Sequence, residues 1–163
     1  MTSTNQKVEA FEATINDQVE MDEIEELQKE WENDMDNNLI RFKYATILSH
    51  SKFLNDRREA IIHFEYLINQ APEYLRDSLF YLGRLRFGLK EFDAARACAE
   101  ELLRIDPDNE QVKNMHIAAK HNHEKQVREK AERQQEVGIA VGVGLAVTAI
   151  AAIGFSLLAR RRK

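Results

Sequence analysis

The chain has 163 residues, with 28 acidic against 23 basic side chains and a net charge of −5, and it lacks the basic stripe with interleaved aromatics that nucleic-acid binding requires. Its single cysteine, Cys98, excludes a disulfide framework and points to a reducing compartment. Only two prolines and six glycines interrupt a chain rich in Leu, Ala, Glu, Lys and Arg, which predicts an all-α fold.

Residues 1–36 read as an acidic arm, with twelve carboxylates against Lys7 and Lys29. Ile24, Leu27, Trp31 and Met35 fall at i, i+3, i+7 and i+11, one apolar stripe on an otherwise acidic helix. That stripe is expected to dock on the rest of the chain. Should it occupy a binding groove, a partner must displace or include it. No apolar core opens the chain, so no cleaved leader is expected.

The central region, residues 37–119, repeats itself at an offset of 35. Tyr44 matches Leu79, Ile47 matches Leu82, Leu54 matches Leu89, Ala60 matches Ala95, Leu67 matches Leu102, and Pro72 matches Pro107. Small Ala60 and Ala95 let paired helices approach closely. Pro72 and Pro107 end the second helix of each unit, because proline lacks a donor and clashes with the preceding turn. The copies span about residues 41–72 and 76–109, and the second follows the tetratricopeptide pattern through Leu82-Gly83, Leu89, Phe92, Ala95, Leu102 and Pro107. Two repeats alone expose apolar faces at both ends, so the arm and a helix from about Glu110 should cap them.

Residues 120–136 are polar and predict a solvated juxtamembrane helix. His116, His121 and His123 lie there or just before it, but their spacing puts them on different helix faces, so no metal site is expected. Residues 137–159 contain no charge, and as a helix they extend about 35 Å, enough to cross a bilayer. Only the basic tail Arg160, Arg161, Arg162 and Lys163 follows. Such a span inserts after synthesis ends and leaves the N-terminal bulk in the cytosol. Gly138 and Gly142 form a small-xxx-small spacing that offers a packing face for a homo-oligomer.

This order of parts resembles the mitochondrial fission 1 protein family, with the local match strongest at Phe42, Tyr44 and Ala45, at Arg76-Asp77, and through Phe80-Tyr81-Leu82, Leu89-Lys90-Glu91-Phe92 and Ala95. Thr46 and Leu85 depart from the Trp and Gly that the family often has there. The resemblance implies a six-helix, tetratricopeptide-repeat-like bundle (two repeats plus capping helices) followed by one C-terminal transmembrane helix. It implies a receptor on the mitochondrial outer membrane, and on peroxisomes, that recruits a dynamin-related GTPase directly or through fission adaptor proteins. No cofactor is expected, since no phosphate-binding glycine loop or metal spacing appears.

In a tetratricopeptide array the first helix of each repeat lines a concave groove. Counting along the repeats places Ala45, Ser49, Asp77, Phe80, Arg84 and Phe87 there. Phe80, Arg84 and Phe87 share one helical face and could anchor a partner helix. The alternative, a chaperone or import receptor gripping peptide C-termini, needs a Lys/Asn clamp, and Ala45, Ser49 and Tyr81 occupy places it would use. A fusion coiled coil would need sustained heptads before the span, and residues 120–136 offer little beyond Val127 and Ala131. No phosphate loop, nucleophile–base pair or metal spacing supports an enzyme.

Overall fold

The computed structural model describes the backbone of residues 3–15 and 21–160, with side chains described as far as residue 135. Seven α-helices follow in order: α1 (Thr4–Ala13), α2 (Met21–Asn33), α3 (Asn38–Ser49), α4 (Leu54–Gln70), α5 (Leu75–Gly88), α6 (Phe92–Ile105) and α7 (Glu110–Arg160), with a 3-10 turn at Pro72–Tyr74. No strand occurs among the described residues. The chain divides into two compact units, residues 1–123 and 124–163.

Local chemistry sets the element boundaries. The Asn37 side chain accepts from the Leu39 and Ile40 amides at 3.1 and 3.3 Å and so caps α3. Asn109 does the same for α7 through the Val112 amide, at 3.1 Å. The two matched prolines act alike. Just before each, the amides of Ala71 and Asp106 donate back to the Leu67 and Leu102 carbonyls, closing the last turn. At the end of α5 the Glu91 amide donates to the Arg86 carbonyl and the Lys90 amide to the Phe87 carbonyl, the paired bonds of a Schellman stop. Its left-handed residue is Lys90, at φ 62°, rather than the usual glycine.

The offset of 35 corresponds to two stacked helix pairs, α3–α4 and α5–α6. Ala60 and Ala95 are both fully buried at the helix crossings, and Leu67 and Leu102 fill equivalent core positions. Leu54 differs: it is half exposed, whereas its counterpart Leu89 packs against the core. Helix α7 caps the second pair by burying Val112, Met115, Ala118 and Ala119. Its approach at Gly83 is close enough that an added Cβ would lie 2.9 Å from Met115 and 3.2 Å from the Cys98 Cβ. Burial pushes the Cys98 thiol up, which keeps it protonated and unreactive.

The arm departs from the sequence expectation. It forms two helices rather than one, so the bundle has seven helices among the described residues where six are expected. On α2 the stripe covers three of its four members: Ile24 is buried, Leu27 and Trp31 are half-buried, and Met35 lies beyond the helix end at 51 % exposure. Trp31 stacks near Tyr44 and meets His63 edge-on at 5.1 Å, while the Arg41 guanidinium lies 4.2 Å above its ring. The stripe therefore seals α2 onto the first repeat. It is a cap and does not enter a groove.

Among the described residues no helix is long and apolar enough to cross a membrane. The expected span at residues 137–159, the Gly138/Gly142 spacing and the tail Arg160, Arg161, Arg162 and Lys163 all concern side chains outside the described residues. The helix expected from Glu110 and the polar helix expected at 120–136 are continuous within α7.

Candidate partner-binding groove

Helix α5 is exposed to two cavities along its length. Its first turns face a cavity of about 420 Å³ lined by Phe42 of α3, by Arg76, Asp77, Phe80 and Tyr81 of α5, by Leu102 and Asp106 of α6, and by Asn109, Gln111 and Val112. The walls combine aromatic rings with a polar rim. Phe42 and Tyr81 sit edge-on at 5.7 Å, and Phe80 meets Tyr81 edge-on at 5.9 Å. Across the rim Arg76 pairs with Asp106 at 2.5 Å, and at this exposure such a pair contributes at most about 1 kcal/mol.

The other end of α5 is covered by α1. Phe11 meets Phe87 edge-on with ring centroids 5.1 Å apart, and the Arg84 guanidinium donates to the Thr14 carbonyl. Asn122 of α7 donates to Glu12 at 3.0 Å, so α1 bridges α5 and α7. Ile15 packs so closely over Gly88 that an added Cβ there would lie 3.3 Å from it. A small cavity of about 30 Å³ remains beside Ile15, lined also by Ser49, His50, Arg57, Tyr81, Arg84, Leu85 and Gly88.

The residues singled out from sequence divide among three environments. Asp77 and Phe80 line the open cavity, and Ser49 and Arg84 line the small one beside α1. Ala45 is fully buried, and Phe87, at 6 % exposure, is held between Phe11 and Phe92. Neither presents surface in this arrangement. Sequence counting passes over Gln111 because it uses only first helices and leaves out α7, whereas Phe42, Arg76 and Tyr81 lie on first helices but off the register it counts. It also passed over Val8, Phe11 and Ile15, a stripe at i, i+3 and i+7 of which Val8 and Phe11 are buried. That spacing was legible, but it is short and sits in a strongly acidic arm.

On the far side of α3, the cap contact has its own electrostatics. Arg41 donates to His63 Nδ1 at 3.4 Å and to the Met35 carbonyl at 2.9 Å, and it stacks 3.8 Å from the Tyr66 ring. Burial and the Arg41 charge hold His63 below the usual imidazole range, against the opposing pull of Glu59. Burial, followed by Glu59, pushes the Tyr44 phenol well above its ordinary value. Among the described residues no group of three or more His, Cys, Asp or Glu is arranged to hold a metal ion.

The family Fis1 C-terminal tetratricopeptide repeat matches residues 76–126. The chain is 33 % identical to the mitochondrial fission 1 protein of Eremothecium gossypii over 122 residues, covering 74 % of this chain and 73 % of that one. It is 27 % identical to the Homo sapiens mitochondrial fission 1 protein over 142 residues, covering 84 % of this chain and 88 % of the relative. Its fold is similar to the crystal structure of fission protein Fis1 from Saccharomyces cerevisiae, with a TM-score of 0.67 at 18 % identity over 80 % of this chain and 97 % of the other. It is also similar to yeast Fis1 in complex with an Mdv1 fragment containing the N-terminal extension and coiled-coil domains, with a TM-score of 0.65 at 18 % identity over 78 % and 96 %.

Proposed function

From the premise that this chain belongs to the mitochondrial fission 1 protein family, we propose that it is a membrane-anchored adaptor of mitochondrial fission, binding a partner helix in the groove along α5. It is not an enzyme, in keeping with that family of tetratricopeptide-like adaptors. The observation that carries the reading is the open cavity of about 420 Å³, large enough for several side chains and walled by Phe42, Phe80 and Tyr81 with Arg76 and Asp77 at its rim. Aromatic anchors ringed by polar groups are what a docking helix uses for affinity and register. The yeast structure that holds an Mdv1 fragment supports a partner of that kind.

The partner in our reading is a fission adaptor or the dynamin-related GTPase itself. Residues 137–159 hold the groove at the mitochondrial outer surface with the N-terminus in the cytosol. The tail Arg160 to Lys163 sets the address, peroxisomes are a second location, and Gly138 with Gly142 packs copies together. The arm regulates access through α1: Phe11, Thr14 and Ile15 cover α5 from Arg84 to Gly88, and a longer partner helix must lift them. Trp31 on α2 has no part in this switch.

Two measurements test the reading. Asp77→Arg with Phe80→Ala should abolish recruitment of the fission GTPase to organelles while leaving the helical signal intact; undiminished recruitment overturns the groove. A fluorescent fusion lacking residues 137–163 should turn from organelle outlines to a diffuse signal, and an endoplasmic-reticulum pattern for the full chain would overturn the address.

A further inference from the structure

The small cavity beside α1 differs chemically from the open one. Arg76, Arg86, Arg96, Arg104 and Arg133 each pair with a carboxylate. Arg57 and Arg84, which wall the same small cavity, pair with none among the described residues. Their acceptors are neutral carbonyls. Arg57 Nε donates to the Ser51 carbonyl at 2.5 Å, and Arg84 donates to Thr14 of the arm. Asp56, the carboxylate adjoining Arg57 in sequence, is taken by the Ser51 hydroxyl at 2.5 Å. His50 Nδ1 lies 2.8 Å from the Thr46 carbonyl, so it carries a proton and donates it there.

Two half-buried guanidiniums therefore share a recess without a counter-charge among the described residues. A carboxylate would replace these guanidinium–carbonyl bonds with ion pairs in which both partners are charged and which suit the planar guanidinium fork. Size selects among anions. A recess of about 30 Å³ holds a group the size of one or two waters, which matches a carboxylate and is too small for a nucleotide phosphate chain.

We propose that Arg57 and Arg84 form a carboxylate site that reads an acidic side chain, Asp or Glu, of the helix docking on α5. The site rests on the groove reading above and gives that partner a chemistry: an apolar residue in the place of Ile15 with an acidic residue beside it. Arg84 is also the link to the arm. The entering carboxylate takes Arg84 from the Thr14 carbonyl, so the residue that recognises the partner is the one that releases α1. An acidic side chain is favoured over a chain terminus because the segment now lying over the recess, through Ile15, is an internal stretch of chain and not an end.

The test uses the full chain, isotope-labelled, in neutral detergent micelles. Acetyl-Glu-Leu-amide is titrated while the Ser49 and Gly88 amides are followed by NMR. Saturable shifts are expected, at least tenfold weaker with acetyl-Gln-Leu-amide, and lost in R57Q/R84Q but retained in R104Q. The milder R57K/R84K, which keeps both charges without the fork, should weaken the response and serves if the glutamine pair does not fold. Equal shifts from the Glu and Gln peptides overturn the proposal. So does a tighter response to acetyl-Gln-Leu with a free C-terminus, to inorganic phosphate, or in R57Q/R84Q. Recruitment lost in the Asp77/Phe80 variant while the Glu peptide response is absent removes this site alone; a Glu peptide response with recruitment unchanged in that variant removes the groove reading instead.

Discussion

Helices α1 and α2 come from the same acidic arm, yet they attach in different ways. Helix α2 is sealed by a large ring: Trp31 lies between Tyr44, His63 and the Arg41 guanidinium, groups drawn from both helices of the first repeat. Helix α1 has ten residues and buries only Val8 and Phe11, adding single polar links from Arg84 and Asn122. A short helix with two buried side chains can leave as a unit, whereas removing α2 would uncover the end of a repeat stack. One segment thus supplies a permanent cap and a detachable cover. Charge does not distinguish them; the number of groups packed around the anchoring ring does.

The comparison breaks first at Trp31. Trp31→Ala should lower the unfolding free energy by about 2–3 kcal/mol, somewhat less than a fully buried Trp because this ring is only half-buried. Urea denaturation measures it, and a loss under about 1 kcal/mol would mean that α2 is no more integral than α1. Phe11→Ala should cost on the order of 1 kcal/mol despite the deeper burial of that ring. Once the helix detaches, the loss cannot exceed its docking free energy. Hydrogen exchange should show α1 amides opening far faster than those of α2; equal protection would refute a detachable cover.

Titration probes the cap without a substitution in α2. His63 has its folded value held down by burial and Arg41, so its neutral form belongs to the native state. That contribution is fully present above the ordinary value of 6.5 and is lost as pH falls through the folded value. The wild type should therefore lose more stability than His63→Gln on acidification below about pH 6.5, with Trp31 fluorescence reporting the loosening. Parallel curves for the two proteins would show that His63 is protonated without cost. The smallest effect is expected at Gly88→Ala. Its new methyl presses only on Ile15, so global stability should stay within about 0.5 kcal/mol while α1 exchange accelerates. Gly83→Ala, which presses on Met115 and Cys98 in the core, should cost about 1–3 kcal/mol by contrast.

Much of the fold was legible because repeats write their core twice. Ala60 with Ala95 and Leu67 with Leu102 announce two helix pairs in the sequence, and the structure buries all four. The acidic arm was legible only in part. Trp31 and its neighbours show a clear period, but periodicity states that a face is buried and not what covers it. The groove was read more coarsely still. Counting first helices found Asp77 and Phe80, yet it could not separate them from Ala45 and Phe87, which the same helical register turns inward.

By itself, then, the amino-acid order determined an all-helical repeat pair, its proline stops, its caps in outline and an uncharged stretch at residues 137–159. Propensity and period carry that information, because both act over a few neighbouring residues. Tertiary structure alone decided that α1 covers the Arg84 end of α5, that Trp31 seals the opposite side, and that Gln111 joins the groove wall. Those outcomes depend on shape and on which acceptor lies within reach of Arg84, and they arise between residues as far apart as Thr14 and Arg84. No local pattern encodes a contact across that separation; packing chooses it.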